Sequence, residues 1–204
     1  MTADKPRLVL ASGSATRRAL LASAGVDFEV RAADVDEAAI RDRLLAAVPA
    51  VSHEEIALTL AEEKALAVSV QDPGALVIGA DQVLSFEGVV FEKPKSIAEA
   101  RDCLRALRGK THALHSATAL AADGVVLWKD VETAHLTMRA FSEAALDGYL
   151  ARAGDVVLTS VGAYQIEGPA VQLFKNVEGD HSTILGLPLL PVLHELRRRG
   201  MLAT

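Results

Sequence analysis

The sequence predicts a mixed α/β fold, of the α/β or α+β kind. Three features carry that prediction. Apolar runs alternate with helical periodicity through the first half, a long alternating stretch runs from Thr111 to Arg139, and helical signal returns after Ser142.

Taken in order, "RLVLA" (7–11) reads as a short buried strand, and "TRRALLASAG" (16–25) as a helix closing near Gly25. "DFEVRA" (27–32) alternates and predicts the next strand. Ser52 and Glu55 form a capping-box signal that opens a helix through "SHEEIALTLAEEKALAVSV", which the "DPG" at 72–74 should stop. "ALVIGADQVLSF" (75–86) contains an apolar run ending on Asp81. After the loop "EKPK" (92–95), Ser96 and Glu99 repeat the capping signal, and the helix they open should end near Gly109. The stretch 111–139 reads as an antiparallel meander turning at Asp123-Gly124. Two helices are then expected in "SEAALDGYLARAG" (142–154) and "LPLLPVLHELRRRG" (187–200). No internal repeat, low-complexity tract or linker divides the chain, so 1–204 reads as one domain without an evident boundary.

With 204 residues, half of them apolar, the chain can bury a sizeable core. A net charge of -6 argues against a nucleic-acid polymer or an anionic membrane surface as partner. Cys103 is the only cysteine, which excludes an internal disulfide and fits a reducing compartment; on a helix it reads as a small buried apolar residue. The N-terminal "MTADKPRLVLASGS" lacks a signal-peptide core, and no apolar stretch approaches the roughly 18 to 20 residues of a membrane span, so a cytoplasmic protein is expected.

Chemistry-bearing residues gather at the ends of apolar segments. "ASGSATRR" (11–18) is either a plain turn or an anion cradle, in which Ser12, Ser14 and Arg17 surround the free amides of a helix start. Asp81 should emerge at the C-terminal edge of a buried strand, as a ligand-site carboxylate or as the cap of a turn. Asp36 and Glu37 are either helix N-terminal acids or hard oxygen ligands for a magnesium-like ion. Lys64, beside Glu62 and Glu63, is explained by a solvated helix face, and Lys93 by a phosphate contact or an ordered loop before Pro94. The segment 160–189 is glycine-rich yet apolar, which suits an ordered loop that approaches a base or a subunit. "RGKT" (108–111) lacks the first glycine of a P-loop, no GxGxxG occurs, and "HELRR" (194–198) lacks the second histidine of a zinc-protease helix. His112, His115 and His135 read as satisfied structural histidines.

In order and spacing, "LVLASGSATRRALLASAG", "VDE", "EEKA", "GADQV", "EKP", "VGAYQIEG" and "GLPL" resemble the Maf family of nucleoside triphosphate pyrophosphatases, from about Leu8 to about Arg199. The resemblance implies an inosine-triphosphatase-like fold of two lobes around an elongated mixed sheet, with a central nucleotide cleft and a homodimer as a common assembly. It implies hydrolysis of a nucleoside triphosphate between the α and β phosphates, with Mg²⁺ or Mn²⁺ as divalent cofactor. By the same resemblance Asp81 is catalytic, either as base or as metal ligand, and Glu37 helps hold the metal. Ser12, Ser14, Arg17, Lys64 and Lys93 contact the triphosphate. Gln82 and Glu167 match the branch acting on 7-methyl-GTP, whereas Thr16 matches neither that branch nor the dTTP/UTP branch, which keeps UTP or CTP open as substrates. An interaction protein affecting cell division is the alternative from a different class.

Overall fold

A computed structural model describes residues 6–203. The first five residues of the segment read above as lacking a signal peptide lie outside the described residues.

The elements run β1 (Leu8–Ala11), α1 (Ala15–Ser23), β2 (Glu29–Val30), α2 (Glu37–Leu45), α3 (His53–Gln71), β3 (Leu76–Phe86), β4 (Val89–Phe91), α4 (Ile97–Leu107), β5 (Thr111–Ala122), β6 (Val125–Met138), α5 (Glu143–Ala153), β7 (Phe174–Glu178), α6 (His181–Ile184) and α7 (Leu189–Arg198). The fold is mixed α/β. One seven-stranded sheet has the order β2-β1-β3-β5-β6-β7, with β4 paired to β3. The pairs β1–β2 and β1–β3 are parallel, and β3–β4 and β6–β7 are antiparallel.

Local chemistry sets most boundaries. Ser52 Oγ accepts from the Glu55 amide at 3.2 Å and Ser96 Oγ from the Glu99 amide at 3.1 Å, as the capping signals predict. Asp123 (φ 48°) and Gly124 (φ 77°) are both left-handed, which is what a two-residue hairpin turn between β5 and β6 requires. Three expectations change. "DFEVRA" yields a strand of only two residues, because β2 pairs with β1 only at Val9↔Glu29 and Leu10↔Val30. The segment 160–189 is not one loop: it contains a 3-10 turn (Pro169–Leu173), β7 on the sheet edge, and α6. The strand also does not end at Asp81, since β3 continues to Phe86.

The chain divides into two compact units. The first comprises residues up to Gln82, then His115–Thr133 and the chain from Asp180 onward. Its core packs Leu8, Leu10 and Ile78 with Leu21 of α1, Leu187, and Val192 and Leu196 of α7. Against α3 the approach is closer: a Cβ on Gly79 would stand 2.1 Å from the Ala61 carbonyl oxygen and 2.7 Å from the Ala65 nitrogen, so β3 can lie on this helix only with glycine there.

The second unit comprises Val83–Leu114 and Ala134–Gly179. Within it α4 meets α5 through Arg105 and Arg108, each 2.8 Å from a Glu143 carboxylate oxygen. Cys103 sits on α4, half-buried, with burial raising its thiol pKa to about 12. His112 departs from the satisfied histidine expected. Its Nε2 is hydrogen-bonded to the Tyr164 hydroxyl at 2.7 Å, but its buried Nδ1 has no partner. Burial pushes its pKa down to about 4 from an ordinary 6.5, so the folded protein holds it neutral while the unfolded chain takes up a proton below about 6.5. Its contribution is therefore complete above that pH and lost as the pH falls towards 4. Urea unfolding followed from neutral pH to mildly acidic pH should show wild-type stability dropping by up to about 3 kcal/mol more than that of His112→Leu, which cannot titrate.

Candidate active site

Most of the candidate site residues fall in the first unit, around the point where β1 ends and β3 goes on. The parallel ladder stops at Ala11↔Gly79, and β4 pairs with β3 only from Leu84. Asp81 therefore lies within a strand rather than at its end, beyond the reach of the β1 ladder. Side chains alternate along β3, and Gly79 and Asp81 face α3, while Ala80 and Gln82 face the opposite side.

On the α3 side, Lys64 is buried at 7 % exposure, which overturns the solvated-face reading. Its Nζ lies 2.6 Å from Asp81 Oδ1 and 2.9 Å from Glu37 Oε1. An ammonium in that position is held by the two carboxylates it compensates. Asp81 is likewise buried, so it caps no turn; its Oδ2 has no hydrogen-bond partner among the described residues. Asp36 and Glu37 both stand at the start of α2, the first of the two roles considered for them. Asp36 caps α2, accepting from the Ala39 amide at 3.0 Å, while Glu37 begins the helix and reaches Lys64.

Across β3, the adjacent arginines part company. Arg18 is exposed, whereas Arg17 turns inward and donates from Nε to the Gly186 carbonyl (2.7 Å) and from Nη1 to the Ala80 carbonyl (3.0 Å) and Ser12 Oγ (3.3 Å). Ala80 is the first position past the β1 ladder, so its carbonyl binds a guanidinium where the neighbouring strand has run out. Nη2 has no partner among the described residues. Burial lowers the Arg17 pKa and the charges of Asp81 and Glu37 oppose that shift. Ser14 caps α1, accepting from the Arg17 amide, and its own amide donates to Ser12 Oγ, both at 3.3 Å. Thr16 stands half-buried in the first turn of α1.

Gln82 is held as firmly. Its Nε2 donates to Ser116 Oγ (2.9 Å), to the Thr183 carbonyl (3.1 Å) and to the Ile184 carbonyl (3.0 Å). Carbonyl oxygens only accept, so the amide nitrogen must face them. Ser116 in turn donates to the Thr183 carbonyl at 2.6 Å. Neither Ser116, in "LHSAT", nor the backbone of Thr183–Gly186 announces itself in the sequence; a long-range contact from β3 and β5 to α6 has no local signature.

Lys93 and Glu167 belong to the second unit. Lys93 is exposed before the buried Pro94 and lines a concavity of about 360 Å³ with Glu92, Lys95, Glu99, Asp102 and Cys103. Glu167 is exposed on the turn preceding Pro169.

No group of three or more His, Cys, Asp or Glu side chains among the described residues is placed to hold a metal ion. Asp81 and Glu37 bring two carboxylates to one ammonium, and a magnesium-type ion takes one or two protein carboxylates and completes its shell with water and substrate phosphate. No helix among the described residues is long and apolar enough to cross a membrane.

Fold and site together define a mixed α/β protein with paired carboxylates and cations gathered where one strand outruns its parallel neighbour. The chain belongs to the family of Maf-like proteins, whose model matches residues 7–199. It is 50 % identical over 192 residues to the 7-methyl-GTP pyrophosphatase of Brucella abortus biovar 1, covering 94 % of this chain and 96 % of that protein. The 7-methyl-GTP pyrophosphatase of Rhizobium meliloti is 48 % identical over 196 residues, covering 96 % and 98 %. The nucleoside triphosphate pyrophosphatase of Bradyrhizobium diazoefficiens is 51 % identical over 199 residues, covering 98 % and 96 %.

Proposed function

We propose that this protein is a nucleoside triphosphate pyrophosphatase, cleaving between the α and β phosphates to give a nucleoside monophosphate and pyrophosphate. The supporting observation is the buried Asp81, with one oxygen anchored by Lys64 and the other open, close enough to Arg17 for their charges to interact. Relatives sharing half their residues with this chain over nearly its full length carry pyrophosphatase names. Family membership across 7–199 supports treating the chain as one domain.

In this reading Arg17 presents its open Nη2 to a phosphate oxygen, with its other donors fixed so that little ordering entropy remains to be lost. Lys64 keeps Asp81 and Glu37 together and offsets their charge as the anionic substrate arrives. Asp81 Oδ2 is the atom that accepts the proton of the attacking water or ligates the divalent ion. Glu37 and Asp81 would hold Mg²⁺ or Mn²⁺. When bound, such an ion neutralises phosphate charge and lowers the pKa of a coordinated water. Ser12 and Ser14 shape the loop, and Lys93 supplies a further phosphate contact.

The base preference proposed is 7-methyl-GTP, supported by Gln82, Glu167 and the names of the Brucella and Rhizobium relatives. Thr16 favours a second reading, with UTP, CTP or dTTP as substrate, because it offers no aromatic surface for stacking. Cytoplasmic location and a homodimer complete the proposal. The test is pyrophosphate release by the purified protein with Mg²⁺ or Mn²⁺, across 7-methyl-GTP, dTTP, UTP, CTP, GTP and ATP. Metal-dependent, equimolar monophosphate and pyrophosphate are expected. Release of orthophosphate, or no turnover of any of the six, would overturn the assignment.

A further inference from the structure

Gln82 follows Asp81 directly, yet the two side chains leave β3 on opposite faces, and both amide protons of Gln82 are engaged with protein acceptors. The same turn that receives those protons, Thr183 to Gly186, supplies the carbonyl that fixes Arg17 Nε at 2.7 Å. Gly186 is wedged between the two side chains. A Cβ there would stand 3.4 Å from Arg17 Nε, 3.5 Å from its Nη2 and 3.6 Å from Gln82 Cδ, at a φ of +93° that favours glycine.

We propose that Gln82 is a positioning residue for the triphosphate: with Ser116 it clamps the Thr183–Gly186 turn, and through the Gly186 carbonyl it sets the direction of the Arg17 guanidinium. This rests on the pyrophosphatase reading and deepens it. Gln82 acts through the placement of the phosphates, which every nucleotide substrate shares, rather than by offering its amide protons to a base. Any direct contact it makes is as an acceptor, through Oε1, which has no partner among the described residues. The fold keeps the clamp stiff, because Asp180 caps α6 through the amides of Ser182 and Thr183, and Ser182 Oγ accepts from the Leu189 amide at 3.0 Å.

The experiment uses inorganic tripolyphosphate, which has phosphates and no base, and reads its affinity by calorimetry with Mg²⁺ present, so that it does not depend on turnover. Gln82→Leu should weaken tripolyphosphate about tenfold and lower kcat/KM by a similar factor for every nucleotide that the wild type hydrolyses. In an Arg17→Lys background the same substitution should cost almost nothing further, since the group it positions is gone. Ser116→Ala, which removes the other arm of the clamp with the smallest change of shape, should reproduce the effect in part and serves if Gln82→Leu fails to fold. Wild-type tripolyphosphate affinity in Gln82→Leu with an altered ratio of turnover between bases would overturn the proposal, as would losses that add fully with Arg17→Lys. Absence of nucleotide hydrolysis by the wild type would strike the pyrophosphatase reading alone, because the tripolyphosphate cycle would still report the clamp.

Discussion

Asp81→Asn should lower kcat for nucleotide hydrolysis on the order of a hundredfold to ten-thousandfold, the range associated with losing a positioned proton acceptor. The substitution keeps the shape of the side chain, so the backbone of β3 and its contact with α3 should persist. What changes is charge. Lys64 and Arg17 keep their positive charges while Glu37, half-exposed at 50 %, becomes the one carboxylate left of the pair on Lys64. Loss of a charged hydrogen bond at a buried site costs about 1.5 to 3 kcal/mol, so thermal unfolding should register a modest decrease. A large activity loss with a small stability loss would place Asp81 in the chemistry. Equal turnover in wild type and variant, at saturating Mg²⁺ and nucleotide, would remove it from that role.

Gly79→Ala should be the most destabilising single-methyl change in the first unit. The added carbon would sit 2.1 Å from the Ala61 carbonyl oxygen and 2.8 Å from Ala65 Cβ, and backbone cannot swing aside as a flexible side chain does. Strand and helix would have to separate, at a cost of roughly 3 kcal/mol or more. That separation would also pull Lys64, on α3, from Asp81, two residues beyond Gly79 on the same face of β3. Chemical denaturation should therefore report a lowered midpoint, and the folded fraction should turn over nucleotide more slowly. A midpoint within 0.5 kcal/mol of wild type in free-energy terms, about the noise of an ordinary surface substitution, would refute the close approach.

The candidate site was legible in parts. Ser14, Arg17, Glu37 and Asp81 stand out by their places in the sequence pattern and Lys64 only by the family resemblance, and all five fall in the first unit. Lys64 was hidden in a different sense. Beside Glu62 and Glu63 it carries every mark of a solvated helix face, and only the burial of α3 against β3 turns it inward. Asp81 looked like the end of a strand because the apolar run stops there. Strand length is set by pairing partners, and β3 finds β4 as a partner after β1 has ended.

The sequence by itself determined whatever a few neighbouring residues can decide. Capping serines, a left-handed Asp-Gly turn and helical periodicity are short-range energies, and they placed the helix starts and the β5–β6 hairpin. Only the tertiary structure decided which face each charged side chain takes and which distant atoms meet it. The Gln82 amide reaches carbonyls about a hundred residues away, and Arg17 reaches one still further along the chain. Contacts of that separation arise when burial of a common core brings β1, α1, β3 and α7 together, and no local residue preference encodes them.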